Sequence, residues 1–93
     1  MDIVHVKGKN KGDIMLYAIS TCGWCKKTKS LLNTLGVEYR YINVDLLEKS
    51  EKAKIEEQVK QWNPNRNYPT LIINNKICVI GYKEEEIKEA LKQ

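Results

Sequence analysis

Two cysteines separated by two residues, Cys22 and Cys25, are the part of this 93-residue chain whose type and spacing best suit chemistry. They follow an apolar run, residues 14–19, and open an amphipathic segment. We therefore expect a strand to deliver them to the first turn of a helix, where backbone N–H groups lack intrahelical partners and the helix dipole is positive. Such an environment favours a thiolate, so Cys22 is the expected nucleophile. Cys25 lies almost one turn further on, can close a ring with Cys22, and is the expected resolving thiol.

Lysines and an aromatic residue surround this pair. Lys26 and Lys29 follow on the helix at spacings that would add positive potential below the sulfur atoms. Lysines on a helix face are usually solvated, and we interpret both in that way. Trp24 stands between the two cysteines, where burial is difficult, so we expect it to face a substrate.

A metal site is an alternative use of the same thiols. His5 and Cys78 raise the number of candidate zinc ligands to four, but a second pair of closely spaced ligands is missing. We interpret Cys78 as a buried small hydrophobic residue and His5 as a strand surface residue. The alternative hypothesis is a non-catalytic carrier that holds zinc or an iron–sulfur cluster through Cys22 and Cys25, which iron content and visible colour would reveal.

Composition and charge narrow the class of protein. Three cysteines do not form a secreted disulfide framework, and neither a signal-peptide pattern nor a long apolar run is apparent, so we expect a cytoplasmic protein without membrane association. The net charge of +4 comes from scattered lysines, which argues against nucleic-acid binding. We expect residues 1–93 to form a single domain and a monomer.

The hydrophobic pattern predicts the elements that position the cysteines. The expected strands cover residues 3–6, 14–19, 37–44, 71–73 and 77–80, with one helix after the motif, a second ending at Trp62, and a third from the acidic run 84–86. Trp62 lies on the apolar stripe of the second helix, and we expect it in the core. Gly36 is the expected end of the first helix. Asp45 begins an Asp-Leu-Leu-Glu sequence, which predicts a capping box for the second. The order predicts an α/β fold in which residues 14–44 form a right-handed parallel crossover.

Three separated motifs resemble the glutaredoxin branch of the thioredoxin superfamily. They are Cys22-Gly23-Trp24-Cys25, Tyr68-Pro69-Thr70 and Gly81-Tyr82-Lys83-Glu84-Glu85, in that order and on the expected elements. The resemblance implies a thioredoxin-like fold, a mixed four-stranded sheet flanked by three helices, with the extra N-terminal strand on the edge beside residues 37–44. It also implies a thiol–disulfide oxidoreductase that reduces protein disulfides by a dithiol mechanism, in electron transport and cell redox homeostasis, with no metal or organic cofactor.

The resemblance also assigns residues to substrate binding. They are Thr21, Gly23, Trp24, Tyr68, Pro69, Gly81 and Tyr82. In that family Pro69 would be a cis-proline beside the redox pair, and the main chain of Tyr68 would bond an extended substrate.

Two positions depart from the glutathione-using members of that family. Ile19 stands where a basic residue is usual, and Tyr82 stands where a second glycine is usual. Arg66 is a further candidate for a carboxylate contact, although we interpret it as an ordinary loop residue. We therefore expect slow use of glutathione, and an electron donor that is either a thioredoxin-reductase-like protein or a low-molecular-weight thiol.

Overall fold

The computed structural model describes residues 3–65 and 67–92, so Arg66 lies outside the described residues. Within the described residues, five strands form one mixed sheet, and three α-helices and one short 3-10 turn complete the fold. The strands are β1 (Val4–Val6), β2 (Ile14–Ala18), β3 (Tyr39–Asn43), β4 (Thr70–Ile73) and β5 (Ile77–Ile80). The helices are α1 (Gly23–Leu35), α2 (Lys49–Trp62) and α3 (Glu84–Leu91), and the 3-10 turn is Val44–Leu46. The predicted mixed sheet flanked by three helices is confirmed.

The sheet has the strand order β1-β3-β2-β4-β5, with β2 at its centre. Strand β2 pairs in parallel with β3 and antiparallel with β4, so Leu16 lies between Tyr41 and Leu71. Strand β1 pairs antiparallel with the outer side of β3, with Val4 opposite Tyr41. The predicted position of the extra N-terminal strand is therefore confirmed.

Each face of the sheet carries its own hydrophobic core. Side chains of β2 alternate between them, because successive residues of a strand point to opposite faces. Leu16 belongs to the core formed with α1 and α3, whereas Tyr17 packs against the core formed with α2. Trp62, expected in the core of the α2 face, is only half-buried, and Val59 is the last residue of α2 in that core.

Helix α1 has well-defined ends that place its first turn against the end of β2. Cys22 is the N-cap residue, with an extended backbone. At the other end Gly36 adopts the left-handed conformation, with φ of 70°, and its N–H donates to the carbonyl of Asn33. Val37 donates back to Leu32, which completes a Schellman-type ending and confirms the predicted role of Gly36.

The predicted capping box at Asp45 is wrong. Asp45 lies in the 3-10 turn, and α2 begins four residues later, at Lys49, with Glu48 as its N-cap residue. The Asp45 carboxylate instead accepts hydrogen bonds from the backbone N–H of Ser20, at 2.8 Å, and from its hydroxyl, at 2.5 Å. A distant partner with two donors has replaced the local cap, so this carboxylate holds the turn that contains Ser20, between β2 and α1, rather than the start of α2.

None of the described helices is both long and apolar enough to cross a lipid bilayer.

Candidate functional site

The sulfur of Cys22 occupies the position of a helix-capping oxygen. Its Sγ accepts a hydrogen bond from the backbone N–H of Cys25 at 3.1 Å. The Cys22 N–H donates to the carbonyl of Ile19 at 3.1 Å, which holds the turn between β2 and α1. Cys22 is half-buried, so this helix N-terminus can stabilise negative charge on a sulfur that a second molecule can still reach.

Cys25 lies one turn further along α1 and is fully buried. Burial raises the pKa of its thiol to about 12, and the hydrogen bond that the thiol donates to Cys22 adds to this rise. A backbone hydrogen bond with Ile19 and the positive charge of Lys29 act in the opposite direction on the same pKa. Cys25 is therefore a neutral thiol at physiological pH, and it is less accessible than the half-buried Cys22.

A cleft with a volume of about 270 Å³ lies beside Cys22. Its lining residues are Trp24, Tyr68, Gly81, Tyr82 and Lys83. The Sγ atom of Cys22 lies 4.0 Å from the carbonyl oxygen of Tyr68, so this sulfur borders the cleft. Trp24 is 58% exposed and lines this cleft.

Tyr82 forms a fixed wall of this cleft. Its ring stacks on Trp24, with 6.1 Å between the ring centroids and an interplanar angle of 21°. Its hydroxyl donates to Glu84 Oε1 at 3.0 Å, and Glu84 Oε2 accepts from Lys88 Nζ at 2.8 Å. Lys27 places its ammonium 4.7 Å from the centroid of the Trp24 ring. The side chain of Tyr82 is thus held both by its ring and by its hydroxyl. The glutathione-using members of the family that the chain resembles usually have glycine at this position.

The remaining residues predicted for substrate binding also surround the cysteines. Thr21 and Gly23 flank Cys22 and are exposed. Pro69 is buried and follows a cis peptide bond, as the resemblance implied. The Pro69 carbonyl accepts from the Gly81 N–H at 2.8 Å, which joins the second and third motifs, and Gly81 has φ of +84°. The fold thus gathers the three motifs at one end of the sheet.

Two polar residues near the site were misassigned from the sequence. Asp45 anchors Ser20, as described above, and Lys29 is half-buried rather than solvated. The Lys29 ammonium donates to Asn43 Oδ1 at 3.2 Å and lies 4.1 Å from the centroid of the Tyr41 ring. Local sequence carries no signal for these contacts, because each joins elements that meet only in the folded sheet.

The four residues considered as zinc ligands do not come together. His5 lies on β1 and Cys78 on β5, the two opposite edges of the sheet. His5 is exposed and its Nε2 lies 3.1 Å from Glu38 Oε2, whereas Cys78 is half-buried opposite Ile72 rather than fully buried. Within residues 3–65 and 67–92, no group of three or more His, Cys, Asp or Glu residues is arranged to hold a metal ion.

Comparison with known proteins gives concordant results. The glutaredoxin family model matches residues 14–78. The structure is similar to the glutaredoxin of Methanosarcina mazei Go1, with a TM-score of 0.91 and 45% identity, over 98% of this chain and 88% of that chain. It is similar to methanoredoxin of Methanosarcina acetivorans, with a TM-score of 0.89 and 48% identity, over 92% of this chain and 90% of that chain.

A curated relative covers a comparable length. The chain is 26% identical over 80 residues to an uncharacterized glutaredoxin-like 8.6 kDa protein in the rubredoxin operon of Clostridium pasteurianum, covering 86% of this chain and 99% of that protein. It spans 54–62% of the length of the plant and Rickettsia prowazekii glutaredoxins that it also matches. The predicted resemblance and the thioredoxin-like fold with an extra N-terminal strand are confirmed.

Proposed function

The chain belongs to the glutaredoxin family, and we propose that it reduces protein disulfides by a dithiol mechanism in which Cys22 attacks and Cys25 resolves. Family and fold support a thiol–disulfide redox function. The dithiol mechanism is proposed from the different surroundings of Cys22 and Cys25. The Sγ of Cys22 accepts a helix N-terminal N–H at 3.1 Å beside an open cleft, whereas Cys25 is buried beneath it as a neutral thiol.

The reaction has two displacement steps. The Cys22 thiolate attacks one sulfur of the target disulfide, the target S–S bond breaks, and one target thiolate leaves. Cys25 then loses its proton and attacks the Cys22 sulfur of the mixed disulfide, which releases the second target thiolate. The target gains two electrons, the two cysteines become a disulfide, and a thiol or dithiol donor later returns the pair to its reduced form.

The cleft supports a protein chain as the substrate. Trp24 and Tyr82 provide an aromatic wall, and Tyr68 contributes backbone groups next to the reacting sulfur. Aromatic side chains supply large contact areas to a docked segment, whereas backbone groups recognise an extended chain of any sequence. We assign Thr21, Gly23, Pro69 and Gly81 to the rim of the same binding site. The protein would act as a monomer in the cytoplasm, where thiols are kept reduced.

The residues around the cleft support a proposal about the electron donor. Ile19 provides no cation for a carboxylate of glutathione, and the fixed ring of Tyr82 fills space next to Cys22. We therefore propose a thioredoxin-reductase-like protein or another low-molecular-weight thiol as the donor, rather than glutathione.

Three cysteine variants test the separate roles of Cys22 and Cys25 in insulin reduction driven by dithiothreitol. Cys22→Ser is expected to be inactive. Cys25→Ser is expected to attack but not resolve, and so, when mixed with insulin after dithiothreitol has been removed, to accumulate mixed disulfides that intact-protein mass spectrometry detects. Cys78→Ala is the matched control and is expected to keep wild-type turnover, because β5 lies at the sheet edge away from the pair. Full turnover by Cys25→Ser would show that the reaction does not use two thiols.

A further inference from the structure

Lys29 is a positively charged side chain with a fixed position near the redox pair. Its ammonium is held by Asn43 Oδ1 at 3.2 Å and by the face of the Tyr41 ring, whose centroid is 4.1 Å away. The side chain is half-buried, in contrast to the neighbouring exposed Lys26. Ordering a long lysine side chain costs conformational entropy, and these two contacts offset that cost. The structure thus keeps one cation of α1 away from bulk solvent.

The partners of Lys29 lie at the active-site end of the sheet. Asn43 pairs with Ala18 in the parallel register of β2 and β3, and Ala18 directly precedes the turn that leads to Cys22. On α1, Lys29 lies four residues after Cys25, a spacing that puts two side chains on the same face of a helix. Its own helix and β3 therefore hold the ammonium on the same face of α1 as the buried thiol, and its charge acts on that thiol.

Cys25 needs a nearby positive charge when it reacts. It is buried as a neutral thiol in the reduced protein, but it attacks a mixed disulfide only as a thiolate. Two causes that raise its pKa, the hydrogen bond to Cys22 and the charge of Cys22, disappear once the Cys22 sulfur is part of a neutral mixed disulfide. Burial then opposes ionisation, while the backbone of Ile19 and the charge of Lys29 favour it. Within the described ranges, Lys29 is the one cation among these causes.

We propose that Lys29 promotes the resolving step by stabilising the thiolate of Cys25, an inference that rests on the dithiol mechanism proposed above. In that step the Cys25 thiol gives its proton to solvent, the thiolate forms a bond to the Cys22 sulfur, and the bond between Cys22 and the target breaks. Lys29 stays protonated throughout and exchanges no bond. It acts through Cys25, so it is a positioning and electrostatic residue, and the attack by Cys22 does not depend on it.

The two steps can be separated with DTNB, an aromatic disulfide that releases a yellow thiolate in each of them. The first release reports attack by Cys22, and the second reports resolution by Cys25. Lys29→Met removes the charge and keeps an unbranched side chain, Lys29→Arg keeps the charge, and Lys26→Met is the matched control, an exposed lysine of the same helix. Stopped-flow absorbance over a range of pH values gives both rates for each variant.

Lys29→Met is expected to slow the second release at neutral pH at least about threefold and to leave the first unchanged. Loss of a nearby cation raises a thiol pKa, and a rise of one unit lowers the thiolate fraction about tenfold, of which the higher nucleophilicity of the more basic thiolate recovers about threefold. The pH midpoint of the second release is expected to move upward. Lys29→Arg and Lys26→Met are expected to match the wild type.

Other outcomes would overturn the inference. An unchanged second release in Lys29→Met would show that its charge is not used. Equal slowing of both releases, or a loss that Lys29→Arg does not restore, would show a structural role instead. A single release by the wild-type protein, equal to that of Cys25→Ser, would overturn the dithiol mechanism itself, and the inference with it.

Discussion

At the scale of single residues, the surroundings give two identical thiols opposite properties. Cys22 is half-buried with an N–H donor at 3.1 Å from its sulfur, and Cys25 is fully buried. A donor favours the ionised form of a thiol, and removal from water favours the neutral form. The proposed order of the two reaction steps therefore agrees with where each sulfur lies relative to the first turn of α1.

The buried thiol makes the stability of the reduced protein depend on pH. Burial, together with the hydrogen bond to Cys22, raises the pKa of Cys25 to about 12, above the value of an unfolded cysteine, about 8.5. The stabilising contribution is therefore complete below the unfolded pKa and is lost as pH rises towards the folded one. Between pH 9 and 10.5 we expect the free energy of unfolding to fall by about 1 kcal/mol per pH unit from this group.

Urea unfolding under a phosphine reductant at several pH values measures this slope. Cys25→Ser is the reference, because serine does not titrate in this range, and its slope is expected to be shallower by the same amount. Parallel slopes for the two proteins would mean that Cys25 is as ionised in the folded chain as in the unfolded one.

The residues that replace the usual glutathione contacts make a second prediction at this scale. Each charge-assisted hydrogen bond to a carboxylate is worth roughly 1.5–3 kcal/mol, so the double variant Ile19→Lys, Tyr82→Gly is expected to raise kcat/KM with glutathione at least about tenfold. The gain is measured relative to turnover of the same small disulfide driven by dithiothreitol. A coupled assay with glutathione and its reductase provides the measurement.

Tyr82→Phe is the matched control for this pair, because it keeps the ring that stacks on Trp24 and removes only the hydroxyl that donates to Glu84. It is expected to gain no glutathione activity. Rapid glutathione-driven turnover by the wild type, unaltered in the double variant, would show that Ile19 and Tyr82 do not determine the donor.

At the scale of elements, α1 could be predicted from the sequence and the start of α2 could not. Both ends of α1 are local: Cys22 caps its first turn and Gly36 ends its last. The residues after β3 are different, because Asp45 has both a local capping pattern and a partner on a distant turn. Two donors from Ser20 prevail over one local cap, and a single sequence does not reveal which partner lies nearby.

The contact between Asp45 and Ser20 predicts how the turn before α1 is stabilised. Burial would raise the pKa of Asp45, but the hydrogen bonds from the hydroxyl and backbone N–H of Ser20 outweigh it and hold the pKa below its usual range. Asp45→Ala removes two hydrogen bonds to a charged acceptor and is expected to cost about 2–3 kcal/mol of unfolding free energy at pH 7. Ser20→Ala keeps the backbone bond and is expected to cost about half as much.

The difference in stability between wild type and Asp45→Ala is expected to depend on pH in a defined direction. Because the folded pKa of Asp45 is lowered, its contribution is complete above the usual aspartate value, about 3.9, and is lost as pH falls through the lower folded value. Urea midpoints of wild type and Asp45→Ala are therefore expected to converge below about pH 4. A constant difference down to pH 2 would mean that the carboxylate charge is not what holds Ser20.

At the scale of the whole molecule, the strand order determines which predictions from the sequence could succeed. Three short motifs, separated by up to 42 residues between Cys25 and Tyr68, meet because β2 lies between β3 and β4 and all three motifs adjoin the same end of the sheet. The family resemblance predicted that the three motifs would meet in this way. The burial of Lys29 and of Trp62 was predicted wrongly. A helical pattern shows which side of a helix faces the core, but it does not show how far the neighbouring element covers that side.

The edge position of β1 gives a prediction for the whole chain. Strand β1 covers the outer side of β3, and an uncovered edge strand is a site for association with other chains. Deletion of residues 1–7 is expected to lower Tm by at least about 5 °C and to promote self-association, while both thiolate releases from DTNB persist. Differential scanning calorimetry and size-exclusion chromatography measure the two effects.

The matched control is His5→Ala, which keeps the backbone pairing of β1 and removes only a surface contact with Glu38. It is expected to behave as the wild type. A deletion variant with unchanged Tm and no association would show that β1 neither stabilises nor protects the sheet.

The position of the Trp24 ring also allows intrinsic tryptophan fluorescence to report on the surroundings of the two cysteines. The chain has two tryptophans, and they lie on opposite faces of the sheet, Trp24 between the redox cysteines and Trp62 at the end of α2. With Trp62→Phe, all tryptophan emission would come from a ring that touches Tyr82 and lines the cleft beside Cys22. Oxidation of the pair and docking of a target could then be followed in real time by intrinsic fluorescence, with no dye attached to the surface being measured.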